Sequence, residues 1–253
     1  MLLFIRKSGA DIIPRMSKTA KVALIDNSID PDVYRPVEHW SPFLNCAWES
    51  FTARDHKFPR WTDGFTHVIL TGSEASILEM DPWALEEAEW IREALDRGLA
   101  VLGSCWGHQL LAYVLSGPGH VRRCARPEIG WIPIRVVAPG GPLGDPGTAY
   151  SFSLHFDEAV EMGPRFEVLA ETDVCRIQAF QSRDGRILGL QIHPEINPRQ
   201  GRRLLADLIR KGFAGADRMA EALESEPRDS GLAEHIVADF LEAGTHAAAI
   251  DFP

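Results

Sequence analysis

The sequence predicts an α/β fold: an open, mostly parallel sheet flanked by helices, with an antiparallel β extension. Three observations predict it. Short continuous apolar runs at residues 21–26, 66–71 and 99–102 read as strands buried on both faces. Helical patterns follow the second and third of these runs, which is the strand–helix alternation of a doubly wound sheet. After Gly117-Pro118-Gly119 the pattern changes to strand runs separated by turn residues.

Taken in order, Lys21-Val22-Ala23-Leu24-Ile25-Asp26 is the first central strand. Residues 29–60 mix prolines and acids with Trp40, Phe43, Trp48, Phe51 and Phe58, followed by Trp61; a helix is expected over residues 43–53, with these aromatics as core or cover. If they bind anything, they form a specificity wall. The strand at 66–71 runs into Gly72-Ser73-Glu74-Ala75-Ser76, a loop at the end of a strand where open α/β sheets place ligands. Asp81-Pro82 opens a helix with a cap and an N1 proline, and Arg97-Gly98 closes it. A further helix is expected at 108–115.

Beyond it, residues 121–124 and 131–137 read as two strands, 166–170 and 177–181 as two more, and 186–192 pairs back across Asp184-Gly185. Helices are expected at 198–212, with Leu204, Leu205, Leu208 and Ile209 on one face, and at about 230–243, both as packing elements.

The 253 residues, 45% of them hydrophobic, suffice for one α/β domain over residues 20–253. Residues 1–19 are expected to be a flexible leader: Met1-Leu2-Leu3-Phe4-Ile5 is cut off by Arg6 and Lys7, too short for a signal-peptide core or a membrane span. A net charge of −10 argues against nucleic-acid and anionic-membrane partners. The four cysteines, at 46, 105, 124 and 175, show no C-x-x-C pair and no metal-like spacing with histidine, which fits a reduced, cytoplasmic protein.

Chemistry concentrates at Gly103-Ser104-Cys105-Trp106-Gly107-His108-Gln109. A strand turning sharply into a helix presents a nucleophile at the turn, needs a strained backbone there, and needs room where strand and helix nearly touch; the flanking glycines are expected to supply both. A cysteine at a helix N-terminus is also favoured as thiolate. A thiol nucleophile needs a base, and the base an orienting group. His193, with Glu195 two residues on across Pro194, has that company directly after a strand, where alternate residues share a face.

With these segments in view, the chain resembles the class I glutamine amidotransferases of the cysteine–histidine–glutamate type. G-S-C-W-G-H-Q is similar to that family's elbow, G-L-Q-I-H-P-E to its base segment, T-G-S-E-A-S to its oxyanion loop and S-L-H-F-D to the segment whose backbone holds the glutamine α-amino and carboxylate groups. They occur in the family's order, with Cys105 and His193 88 positions apart, and the resemblance covers roughly residues 21–212.

It implies a flavodoxin-like sheet with Cys105 attacking a γ-glutamyl carbonyl, His193 as base and later acid, and Glu195 orienting His193. The backbone N–H groups of Gly72 and Trp106 would receive the oxyanion, and Gln109 with the backbone of His155, Phe156 and Asp157 would hold the glutamyl group. Ser104 and Glu74 depart from the usual aliphatic residue and proline. No metal ligand and no cofactor is implied.

The substrate implied is glutamine or a γ-glutamyl conjugate, hydrolysed through a thioester by a stand-alone enzyme. The alternatives are a glutaminase subunit supplying ammonia to a separate synthetase partner and a non-catalytic binding module on the same fold. A homodimer stays open. An α/β-hydrolase shares the G-x-C-x-G elbow, but its acid precedes the histidine, whereas Glu195 follows it.

Overall fold

The computed structural model describes residues 20–243, so the expected leader at 1–19 lies outside the described residues. Nine strands form one mixed sheet. β1 (Lys21–Asp26), β2 (Ala47–Thr52), β3 (His67–Leu70), β4 (Ala100–Ser104) and β9 (Ile187–Leu190) run parallel; β5 (Val121–Val136), β6 (Gly147–Ala159), β7 (Phe166–Glu171) and β8 (Ala179–Ser182) continue it antiparallel. The order across the sheet is β2-β1-β3-β4-β9-β8-β7-β5-β6.

Alternate residues of the parallel strands feed two cores. Ala23, Ile25, Val68, Leu70 and Val101 pack with Trp83, Ala88 and Ile91 of α2 (Pro82–Asp96) and with Leu110 and Leu111 of α3 (Trp106–Ser116). Val22, Leu24, Ile69 and Leu102 face Trp40 of α1 (Pro36–Trp40) and Ile236, Val237 and Phe240 of α6 (Ala233–Ala243). Burial on both faces is why these strands read as continuous apolar runs. A third cluster joins α4 (Pro198–Lys211) and α5 (Ala216–Glu224) to Phe152 and Tyr34. Among the described residues, no helix is long and apolar enough to cross a membrane.

Several expectations are corrected. The helix expected over 43–53 is the end of a 3-10 turn, Ser41–Phe43, followed by the edge strand β2, whose ladder runs from Lys21↔Ala47 to Asp26↔Thr52. That pairing overrides a weak local pattern. Asp81 stands at the N-cap of α2, but its side chain makes no cap bond. The two strands expected at 121–124 and 131–137 are one, β5, with a slip in its register between Arg123 and Glu128.

The expected hairpin across Asp184-Gly185 joins β8 to β9, with Gly185 at φ 75°. Of the six aromatics between 40 and 61, Trp40 is buried, Phe43, Phe51 and Phe58 pack against cores, Trp61 stacks on Trp90 with centroids 5.0 Å apart, and Trp48 is exposed.

Candidate active site

The turn from β4 into α3 places Cys105 at the N-cap with φ 48° and ψ −103°, a backbone that non-glycine residues rarely adopt and that clusters at functional sites. The strain expected of the glycines therefore falls on the cysteine. Gly103 and Gly107 meet the other need, close approach. A Cβ on Gly103 would lie 2.4 Å from the Gly107 carbonyl oxygen, and one on Gly107 would lie 2.5 Å from the Leu70 carbonyl oxygen.

The elbow is also pinned from both sides. The Cys105 N–H donates to the Leu190 carbonyl (2.7 Å) and the Gly107 N–H to the Thr71 carbonyl (3.2 Å). The thiol itself reaches the Leu154 carbonyl at 3.5 Å.

His193 lies between Cys105 and Glu195. Its Nδ1 is 2.7 Å from Glu195 Oε1, and its ring also meets the Cys105 side chain. Both His193 and Glu195 are buried. Burial disfavours the charged ring, yet the Glu195 carboxylate and Cys105 outweigh it and push His193 up to about 10. The pair does not sit on the strand, as the alternation argument expects. β9 ends at Leu190; the His193 N–H donates to the Phe152 carbonyl, and a turn closed by Ile196 N–H on the His193 carbonyl (3.2 Å) brings the two side chains together.

Gly72 is adjacent. A Cβ there would lie 2.7 Å from His193 Cε1 and 3.0 Å from the Tyr34 hydroxyl, so only glycine fits. Trp106 is the first residue of α3, and its N–H has no intrahelical acceptor. The departure at Glu74 has a structural use: its carboxylate accepts the Ile29 (3.0 Å) and Asp30 (3.2 Å) N–H groups and ties the loop after β1 to the loop after β3. The departure at Ser104 puts a hydroxyl 3.3 Å from Glu195 Oε1.

A cleft opens beside His193, lined by Gln109, His155, Phe156 and Asp157 as well as Trp106. Gln109 Nε2 donates to the Asp157 carbonyl (2.7 Å) and to Gln191 Oε1 (3.2 Å), tying α3 to β6. The Asp157 carboxylate accepts the Ser76 hydroxyl (2.7 Å) and pairs with Arg123 (3.1 Å). The His155 ring is engaged with Cys124, Glu128 and the Asp157 carbonyl.

Sequence reasoning missed several lining residues. Tyr34 packs edge-on to His193 with centroids 6.1 Å apart, and its hydroxyl is buried without a partner among the described residues. Leu204, Leu208, Phe213 and Met219 form an apolar wall. Leu204 and Leu208 carry a helical-face signal, but nothing in the sequence turns that face toward Cys105. None of the six aromatics between 40 and 61 lines the cleft.

Comparison with known proteins agrees with this architecture. The family model for glutamine amidotransferase class-I matches residues 46–211. Gamma-glutamyl peptidase 4 of Arabidopsis thaliana is 27% identical over 77% of this chain and 81% of its own length. A GMP synthase of Caldicellulosiruptor saccharolyticus is 34% identical over 51% of this chain, which spans only 24% of that protein. In Saccharolobus solfataricus, the glutamine-hydrolyzing GMP synthase subunit is 35% identical over 52% of this chain and 68% of its own length.

Among solved structures, a glutamine amidotransferase from Thermotoga maritima superposes with a TM-score of 0.67 at 21% identity, covering 90% of this chain and 99% of its own. One from Methylobacillus flagellatus gives 0.69 at 20% identity, covering 89% and 95%. With its mixed sheet, its helix-starting cysteine and a family match across most of its length, the chain belongs to the class-I glutamine amidotransferase family.

Proposed function

We propose that the protein hydrolyses a γ-glutamyl amide bond, in glutamine or a γ-glutamyl conjugate, as a stand-alone enzyme. The observation that carries this reading is the His193–Glu195 pair, at 2.7 Å, meeting a cysteine held at φ 48° on a helix start.

Cys105 attacks the γ-carbonyl as thiolate, and charge develops on the carbonyl oxygen. The N–H groups of Gly72 and Trp106 receive that oxygen; one such donor is worth about 3 kcal/mol in comparable sites. Protonated His193 gives its proton to the leaving amine as the tetrahedral intermediate collapses to a thioester, then takes one from the water that hydrolyses it. Glu195 orients the ring and stabilises its charge. Gln109 and the backbone of His155, Phe156 and Asp157 hold the glutamyl group.

The stand-alone reading is supported by likeness to a gamma-glutamyl peptidase over most of both chains. Likeness to a glutamine-hydrolyzing GMP synthase subunit favours a second reading, in which the chain supplies ammonia to a separate synthetase. Steady-state assay of the purified chain against glutamine and a panel of γ-glutamyl dipeptides tests the two. Turnover of at least one γ-glutamyl conjugate without any partner is expected. Inertness of the folded chain toward the whole panel overturns the stand-alone reading.

A further inference from the structure

We propose that Glu128, His155 and Cys175, with the Gln178 side-chain oxygen, bind one Zn²⁺ or a similar borderline transition-metal cation. All three side chains are buried, and one donor atom from each lies within 4.8 Å of the others. His155 Nε2 stands 3.2 Å from Glu128 Oε2. Zinc–ligand bonds of about 2.0–2.3 Å put tetrahedral ligand atoms roughly 3.3–3.8 Å apart, so about an ångström of side-chain rotation closes the set.

The donor chemistry points the same way. Thiolate, imidazole and carboxylate together suit zinc-like ions, whereas calcium and magnesium take oxygen alone. Two anionic ligands neutralise a divalent cation, which a buried setting requires. On binding, the Cys175 thiol proton and any proton on His155 Nε2 pass to solvent.

Gln178 supplies an independent observation. It is fully buried, and its Nε2 donates to Glu128, but its Oε1 has no partner among the described residues. A buried carbonyl oxygen left so is costly, and a cation satisfies it.

The outer contacts of His155 also suit a ligand. Its Nδ1 lies 3.1 Å from the Asp157 carbonyl oxygen; donating there leaves the Nε2 lone pair facing Glu128. Cys124 Sγ, 3.3 Å from the same Nδ1, is a second neighbour on that outer side. The slip in the β5–β6 register sets Glu128 opposite His155. The Cys175 N–H donates to Thr172 Oγ1 (3.0 Å), which fixes the loop that carries the thiol. Glu128 and Thr172 both line a groove that shares no residue with the cleft beside His193, and this gives the ion a way in.

The test uses the full chain carrying Cys105→Ser, so that the elbow thiol cannot take the metal. After chelator treatment and dialysis against Zn²⁺, one equivalent per chain is expected by elemental mass spectrometry. Co²⁺ in its place gives a thiolate-to-cobalt charge-transfer band. Adding Cys175→Ser abolishes the band, adding Glu128→Gln weakens Zn²⁺ binding at least 10-fold, and adding Cys124→Ser keeps the band. Circular dichroism reports whether each variant folds; if Cys175→Ser does not, Glu128→Gln decides. Absence of stoichiometric Zn²⁺ overturns the proposal, as does binding that survives both Glu128→Gln and Cys175→Ser, or a band lost with Cys124→Ser but not with Cys175→Ser.

Discussion

Two clusters in this molecule use the same three side-chain types. Cys105, His193 and Glu195 meet at the carboxyl end of the parallel strands, beside a cleft. Cys124, His155 and Glu128 meet on the antiparallel pair β5–β6. In both, a histidine ring stands between a sulfur and a carboxylate, so composition does not separate them.

Setting does. Cys105 stands at the start of a helix and is held in a strained conformation. Cys124 lies within a strand, where burial and then the acids Glu158, Asp157 and Glu128 push its thiol up to about 12. On the proposed reading, the nucleophile is set apart by the turn of the backbone that carries it.

The largest effect that could break this contrast is covalent. A glutamine-analogue alkylator should label Cys105 alone, and Cys105→Ser should lower γ-glutamyl hydrolysis by about 10⁴-fold or more while the melting temperature holds. Peptide mass spectrometry reads the label. Modification of Cys124 in the folded chain would reverse the assignment of the two clusters.

Glu195→Gln comes next, with a loss of roughly 10²–10⁴-fold in kcat. The sign of its pH effect follows from His193, whose value in the fold is raised from 6.5 to about 10. On the proposed mechanism the ring keeps the proton for the leaving amine until pH climbs through that value, so the wild-type rate should hold well into the alkaline range. Without the Glu195 charge, the alkaline limb should move to lower pH. The stability that the charged ring contributes is fully present below pH 6.5 and is lost as pH rises through about 10; wild-type melting temperature should therefore fall more steeply across that window than that of the variant. An alkaline limb that stays in place would remove Glu195 from its role.

The two clusters also differ in how much of them the sequence exposes. Cys105 is legible because strand, turn and helix are local, and the glycines at 103 and 107 mark the close approach at that turn. His193 and Glu195 are adjacent enough to be read together, although a turn, rather than the strand alternation expected, is what brings them to one side. In the second, Cys124 and Glu128 reach His155 only through the β5–β6 pairing and its register slip, and Cys175 joins them from a loop near Gln178. No spacing rule reaches such a set. Edge strand β2 escaped for a related reason: its hydrogen bonds to β1 decide its conformation, and its own side chains are largely exposed. Tyr34 escaped because a loop residue shows no period, and its place beside His193 and Gly72 depends on how that loop folds.

The smallest effect tests how finely the first cluster is tuned. Ser104 Oγ reaches the same Glu195 oxygen that His193 Nδ1 engages, at 3.3 Å against 2.7 Å, and the second carboxylate oxygen has no partner among the described residues. The hydroxyl is therefore a weaker, second anchor on Glu195. Ser104→Ala removes one hydrogen bond to a charged acceptor, worth about 1 kcal/mol at this length, so kcat should fall about 5-fold with KM nearly constant. Because Glu195 loses only a minor anchor, the alkaline limb should shift far less than in Glu195→Gln. A 100-fold loss in kcat would mean that Ser104, rather than the Glu195–His193 contact, sets the ring, while an unchanged kcat would reduce the serine to a space-filling residue in the elbow.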